Sequence, residues 1–183
     1  MSVFFTSDTH FGHYNAIRYD NRPYKSIEEM DEDLICRWNE KVGKDDLVYH
    51  LGDVSWYKDD YYTYKLLSRL NGKIELIFGN HDGNLKAKSL SRFESVHHVQ
   101  HKIKDKASGT RIILSHAPIL FDQDALSSVN FYGHVHIGCD YEYVKRYVNM
   151  MRQNCVKCVM HNVGCMCWDF APATFEEIIK SKK

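Results

Sequence analysis

The sequence predicts an α/β layered fold on two grounds: six short apolar runs read as buried strands, and stretches with helical periodicity separate several of them. The strand candidates are Val3–Phe5, Leu47–Leu51, Ile74–Phe78, Arg111–Leu114, Val129–Tyr132 and Cys158–Val163. The clearest helix starts at Ser26, three residues before Glu29, which is a capping-box spacing. It carries Met30, Leu34, Trp38 and Val42 on one apolar stripe and ends near Gly43. A second helix, over about Asp59 to Leu70, would bury Tyr62 with Leu66, Leu67 and Leu70 and close at Gly72. A third, from Tyr141 toward Met151, repeats Tyr141, Val144, Val148 and Met151, and a last one follows Pro172 with a second capping box, Thr174 and Glu177. Val96 to Ile103 alternates weakly and reads as an edge strand, with His97, His98 and His101 leaving its facing open.

The chain has 183 residues, which fits one domain over 1–183 with a core large enough to fold unaided. Its composition is that of an ordinary folded protein, with no low-complexity segment. The 24 basic and 24 acidic side chains cancel, so there is no long-range field to gather a polyanion. One stretch is locally basic: Lys86, Lys88, Arg92, Lys102, Lys104 and Lys106 stand against Glu94 and Asp105. A solvated surface strand and loop explains that stretch better than a nucleic-acid track does. The start of the chain lacks a secretory pattern and no apolar run is long enough to span a bilayer, so a cytoplasmic location without membrane contact is expected. The six cysteines are then expected as thiols. Cys155, Cys158, Cys165 and Cys167 do not have a common structural-zinc spacing and read better as small buried residues.

The polar motifs carry the functional information because of where they fall. Asp8 and His10, Asp53, Asn80 and His81, His116, and His134 with His136 each follow one of five strand candidates. In α/β sheets, ligands collect beyond the carboxyl ends of strands. Asp8-Thr9-His10 places two metal-ligand types at i and i+2, which point the same way on an extended chain. Gly52-Asp53 puts a carboxylate at a sharp strand exit. Each is common in surface turns when met alone. Gly79-Asn80-His81-Asp82 concentrates an amide oxygen, an imidazole and a carboxylate, and otherwise reads as an Asx-turn with a solvated histidine. Ser115-His116-Ala117-Pro118 adds one imidazole and Gly133-His134-Val135-His136 adds two.

Taken in order, DTH, GD, GNHD, SHAP and GHVH resemble the calcineurin-like metallophosphoesterase family, with no expected ligand type missing between Asp8 and His136. Phe11-Gly12-His13, Asn21-Arg22-Pro23-Tyr24, Asn162-Val163-Gly164, Trp168-Asp169 and Pro172 are similar to its small phage and bacterial members. The resemblance implies a four-layer αββα sandwich: two mixed β-sheets flanked by helices, with a dinuclear metal site at the strand carboxyl ends. It implies that Asp8, His10, Asp53 and His136 hold one ion, and that Asp53, Asn80, His116 and His134 hold the other.

Those residue types suit ester hydrolysis. A carboxylate such as Asp53 has two donor atoms on one rigid head and can bridge, which an imidazole cannot. Two divalent ions, two aspartates and a shared hydroxide leave a net charge of about +1 to attract a phosphate ester. The neutral amide of Asn80 preserves that surplus. The ions would lower the pKa of a water between them, and that water would attack phosphorus in line. His81, left over as a ligand, would donate a proton or hydrogen bond to the leaving oxygen, with Asp82 either orienting it or merely starting a helix. Nitrogen and oxygen donors without thiolate point to manganese foremost, or to iron, zinc, cobalt or nickel. His13, Asn15 and Arg22, with Arg18, are candidate substrate contacts, although such residues more often pack loops. His50 and His161 read as packed histidines.

Three functions follow as expectations. The first is a phosphomonoesterase or phosphodiesterase acting on a small or nucleotide-like ester. The second is a metal-dependent nuclease tracking single-stranded nucleic acid along the basic stretch. The third is a non-catalytic scaffold that binds protein partners, which loss of a ligand or of His81 would favour; here all are present. Trp56, Tyr57, Tyr61, Tyr62 and Tyr64 would either contact a base or partner or pack the second helix. Substrate, metal and oligomeric state are left open.

Overall fold

The computed structural model describes residues 1–119, 128–136, 139–153 and 159–181. In chain order the elements are β1 (Val3–Thr6), α1 (Tyr14–Tyr19), α2 (Ile27–Lys41), β2 (Leu47–His50), α3 (Asp60–Leu67), β3 (Lys73–Ile77), α4 (Ala87–Leu90), β4 (Ser95–His97), β5 (Gln100–Lys104), β6 (Arg111–Ser115), β7 (Ser128–Tyr132), α5 (Cys139–Gln153), β8 (Val159–Asn162), β9 (Ala173–Thr174) and α6 (Phe175–Lys180). Cys155 and Cys158, and the side chains of Tyr141 and Met151, lie outside the described residues.

Two mixed sheets result. The first has the order β4-β3-β2-β1-β9, parallel except for β9. The second has the order β5-β6-β7-β8, parallel except for β5. Alternation along the strands assigns the layers. Val48, Ile74 and Leu76 turn to one face of the first sheet and pack on Met30, Leu34 and Trp38 of α2 and on Leu66 and Leu67 of α3. Phe5, Tyr49, Leu51 and Ile77 turn to the other face and meet Ile112, Leu114, Val129 and Phe131 of the second sheet. Tyr132 and Met160 pack behind that sheet on Val144 and Val148 of α5. The four-layer αββα sandwich that the sequence led us to expect is therefore the observed architecture. Among the described residues, no helix is long and apolar enough to cross a membrane.

The capped helices start where their sequence signals lie. The Ser26 hydroxyl accepts from Glu29 N at 3.2 Å to open α2, and Thr174 and Glu177 form a reciprocal box at α6. Three expectations need correction. The second helix is shorter, and Tyr62 is 50% exposed, its ring edge-on to Tyr57 instead of in the core. Val96 to Ile103 is not one edge strand: the chain breaks at His98-Val99, so β4 ends the first sheet and β5 begins the second. The short elements α1, α4 and β9 had no periodicity long enough to announce them.

Candidate metal centre

All five motif loops leave the carboxyl ends of strands, three from the first sheet and two from the second, and the backbone sews them together. The loop after β1 continues beside the loop after β2 through Asp8 N to Gly52 O at 3.0 Å, His10 N to Asp53 O at 3.1 Å and Phe11 N to Val54 O at 3.0 Å. The loop after β7 docks across the sheets: His134 N donates to the Asp8 carboxylate at 3.0 and 3.1 Å, and Gly133 N to His116 O at 2.8 Å. Asp8, His10, Asp53 and His134 all lie in the left-handed region, with φ of 56°, 51°, 57° and 66°. For residues with a Cβ that conformation is strained, and it persists only where the surroundings enforce it. The motif glycines make room for the carboxylates. A Cβ on Gly133 would lie 2.6 Å from Asp8 Oδ2, and one on Gly79 would collide with Asp53 Oδ1.

Asp8, His10 and His136 form one convergent triad, and Asp53, His116 and His134 a second. In the first, His10 Nε2 lies 3.3 Å from His136 Nε2 and 4.0 Å from Asp8 Oδ1, with His136 Nε2 at 3.8 Å from the same oxygen. In the second, Asn80 Oδ1 lies 2.8 Å from His116 Nε2 and 2.9 Å from His134 Nδ1. Asp53 stands between the triads. Its Oδ2 is 3.7 Å from His10 Nε2 and 3.5 Å from His116 Nε2, while Oδ1 accepts the His81 N–H at 2.9 Å. A single oxygen thus faces His10 of the first triad and His116 of the second. Ligands about 2.1 Å from a common ion lie roughly 3–4 Å apart, so these spacings suit bound cations.

Proton bookkeeping points the same way. His116 Nδ1 is 2.7 Å from the Leu51 carbonyl oxygen, which can only accept, so Nδ1 carries hydrogen and Nε2 is the atom left to face Asn80 and Asp53. Burial opposes a charge on His116, but the Asp53 hydrogen bond and the Asp8 and Asp53 charges raise it to about 9. A positive charge is wanted at that nitrogen, and a metal ion supplies one as well as a proton does. His136 Nδ1 lies 2.6 Å from the Asp20 carboxylate, which leaves Nε2 to face His10 and Asp8. Burial above all pushes His10 down to about 2, which keeps it in the neutral form that binds metal. Burial also works to raise Asp53, yet His116, the His81 N–H and His10 hold its carboxyl below the usual range.

The remaining candidates separate clearly. His81 is exposed, its ring 6.0 Å from that of His10 and 4.9 Å from that of Trp56. His13 stacks flat on Trp56 at 4.0 Å, and Asn15 is exposed on α1. Arg22 is not placed as a substrate contact: it is 4% exposed and donates to Asp20, to Asp8 O at 2.8 Å and to Thr9 O at 2.9 Å. Its guanidinium braces the ligand loop from beneath. Asp82 does not orient His81 either. Its buried carboxylate accepts from Asp53 N at 2.9 Å, Val54 N at 2.8 Å and Gly79 N at 2.8 Å, and so fixes the bend that presents Asp53. His50 is packed as expected, linked through Nε2 to Thr9 Oγ1 at 3.0 Å. Cys165 is buried and donates to Asp8 O.

Sequence reasoning missed Asp20 and gave Trp56 only a general contact role. Asp20 is buried and joins Arg22 to His136, and its one trace in the sequence is the Asp20-Asn21-Arg22 spacing.

A two-sheet α/β sandwich with carboxylate and imidazole triads at the strand ends defines a class of protein built around a candidate metal centre. The sequence profile of the calcineurin-like phosphoesterases matches residues 1–138, and the chain belongs to that family, whose members hydrolyse phosphoesters with divalent metals. The chain is 32% identical over 184 residues to an uncharacterized protein of Methanocaldococcus jannaschii, covering 97% of this chain and 89% of that one. It is 39% identical over 84 residues to the Gene 66 protein of Mycobacterium phage L5, covering 45% of this chain and 40% of that one. Among solved structures, a protein of unknown function from Aquifex aeolicus superposes with a TM-score of 0.71 at 24% identity, covering 97% of both chains, which is a likeness of fold.

Proposed function

We propose that this protein hydrolyses a small, nucleotide-like phosphate mono- or diester with two divalent ions held between Asp8, His10, Asp53, Asn80, His116, His134 and His136. The observation that carries the reading is the convergence of carboxylate, amide and imidazole donor atoms from both sheets on either side of Asp53 Oδ2. When bound, the ions would supply an acidified water and hold the phosphate oxygens, manganese being the ion we favour. The chain's own groups do the rest. Arg22, Asp20 and Asp82 keep the ligand loops in their strained conformation, so the site is formed before substrate arrives. His81, exposed beside His10, is positioned to give a proton or hydrogen bond to the departing oxygen.

Trp56 supports the nucleotide-like part of the reading. It is 41% exposed, backed by His13 and next to His81, so a base could stack there while its phosphate reaches the ligands. The basic track for a long strand is weaker. Arg92 directs its donors to Leu67 O, Leu70 O and Gly72 O, and Lys104 and Lys106 line a groove with Met1, Val3 and Phe175.

A panel of mono- and diesters, cyclic nucleotides and single-stranded oligonucleotides, assayed with and without added manganese, tests the proposal. Metal-dependent turnover of nucleotides, with KM raised by Trp56→Ala, is expected. Cleavage confined to oligonucleotides would replace this reading by a nuclease, and metal binding without turnover of any ester would leave a scaffold.

A further inference from the structure

At one edge of the gap between the sheets, the apolar lining gives way to a carboxylate and two imidazoles. On β3, Ile74 and Leu76 face the helix layer and Ile77 faces the second sheet, so Glu75 shares the inter-sheet face with Ile77. His97 lies on β4, the edge strand of the first sheet. His101 lies on β5, the edge strand of the second, two residues before Ile103, which packs on the inter-sheet core. The three residues therefore meet where the two sheet edges face each other, in a position that elsewhere in this layer is filled by Leu, Ile, Val and Phe.

Their contacts are close. Glu75 Oε2 lies 3.1 Å from His97 Nε2, and Ser95 Oγ donates to Glu75 Oε2 at 2.8 Å while standing 3.1 Å from His97 Nε2. The His97 and His101 rings stack with centroids 3.9 Å apart, and the His101 ring lies 6.1 Å from that of Tyr49. One donor atom each of Glu75, His97 and His101 lies within 4.8 Å of the other two. Two ligands of a tetrahedral zinc ion stand roughly 3.4 Å apart, and Glu75 Oε2 already lies 3.1 Å from His97 Nε2, so turning the two rings toward a shared point would complete the geometry.

We propose that Glu75, His97 and His101 form a further metal site, sharing no residue with the strand-end centre, that takes one divalent ion of the zinc type and staples the two sheet edges together. Two imidazoles and one carboxylate form a zinc-compatible donor set, with a fourth position left for water or the Ser95 hydroxyl. The staple holds whether or not the strand-end centre hydrolyses esters.

The test uses full-length protein stripped of metal, reloaded with zinc and freed of excess by gel filtration. Wild type is expected to retain one equivalent more than the His97→Asn/His101→Asn double variant. That variant should keep its ester turnover and lose part of the zinc-dependent rise in Tm. Glu75→Gln, nearly isosteric, serves as the second variant should the double one fail to fold. Equal zinc counts in wild type and a folded variant would overturn the proposal. Asp53→Ala reads the other centre separately: it should lose ions there while keeping the equivalent at Glu75, so failure of either reading is visible on its own.

Discussion

Asp53 divides its two oxygens, Oδ1 fixed by the His81 N–H and Oδ2 standing between imidazoles of both triads. If that shared oxygen is the bridge, Asp53→Ala should abolish turnover and weaken both ions, whereas His81→Ala should lower kcat by roughly 10²–10⁴-fold with metal content unchanged. Metal analysis beside steady-state kinetics separates the two, and a His81 variant that loses its ions would remove the proton-donor role. Asp20 makes a different prediction. Its carboxylate fixes the His136 tautomer from behind, so Asp20→Asn should weaken metal binding by roughly 10- to 100-fold without touching substrate. Calorimetric metal titration reads that loss, and an unchanged affinity would show His136 to be oriented by packing alone. At this scale the convergence of the seven candidate ligands was legible, because metal-ligand types recur after strands at short, recognisable spacings. Asp20, Arg22 and Asp82 were not, since what they do depends on partners 13 to 116 positions away or on backbone amides that no side-chain pattern reveals.

Among the elements, α2 does more than cover the first sheet. Asp31 on its buried face accepts from Gly12 N at 3.0 Å and from Tyr57 Oη at 2.8 Å, tying the helix to the loop that carries His10 and to the segment after Trp56. Burial raises the Asp31 carboxyl from the ordinary 3.8 to about 6, against the pull of those two donors. Protonation therefore favours the folded chain: this contribution is complete below about pH 4 and is lost as pH rises through 6, leaving a cost of order 1–3 kcal/mol at neutral pH. Asp31→Asn keeps an acceptor for Gly12 and gains a donor toward Tyr57. Relative to this variant, the wild-type urea midpoint should fall between pH 4 and 7, and parallel curves would refute the assignment. Long elements such as α2 and the apolar strands were readable from period and caps. The His98-Val99 break was not, because the crossing from one sheet to the other is decided by which edges stand free after the layers pack, and alternation reads the same on either side of it.

For the whole molecule, candidate ligands drawn from both sheets would make metal binding and layer packing one equilibrium. Chelator-treated protein should be inert and should melt roughly 5–10 °C lower, recovering both properties on addition of manganese. Calorimetry with and without the chelator checks this, and an unchanged Tm would mean that the loops keep their shape without help. The sandwich itself was legible from alternating strands and helices together with the family pattern, whereas the joining of the sheets through His134 N and the Asp8 carboxylate is a contact between residues 126 positions apart.

That division of donors between the two layers has a consequence for biosynthesis. A polypeptide leaving the ribosome presents Asp8, His10, Asp53 and Asn80 well before His116, His134 and His136 exist, so the first half on its own offers a cation only an incomplete cage. Loading on this reading is a late event that locks an already assembled body, and a nascent fragment ending ahead of β6 would have little with which to hold a divalent ion.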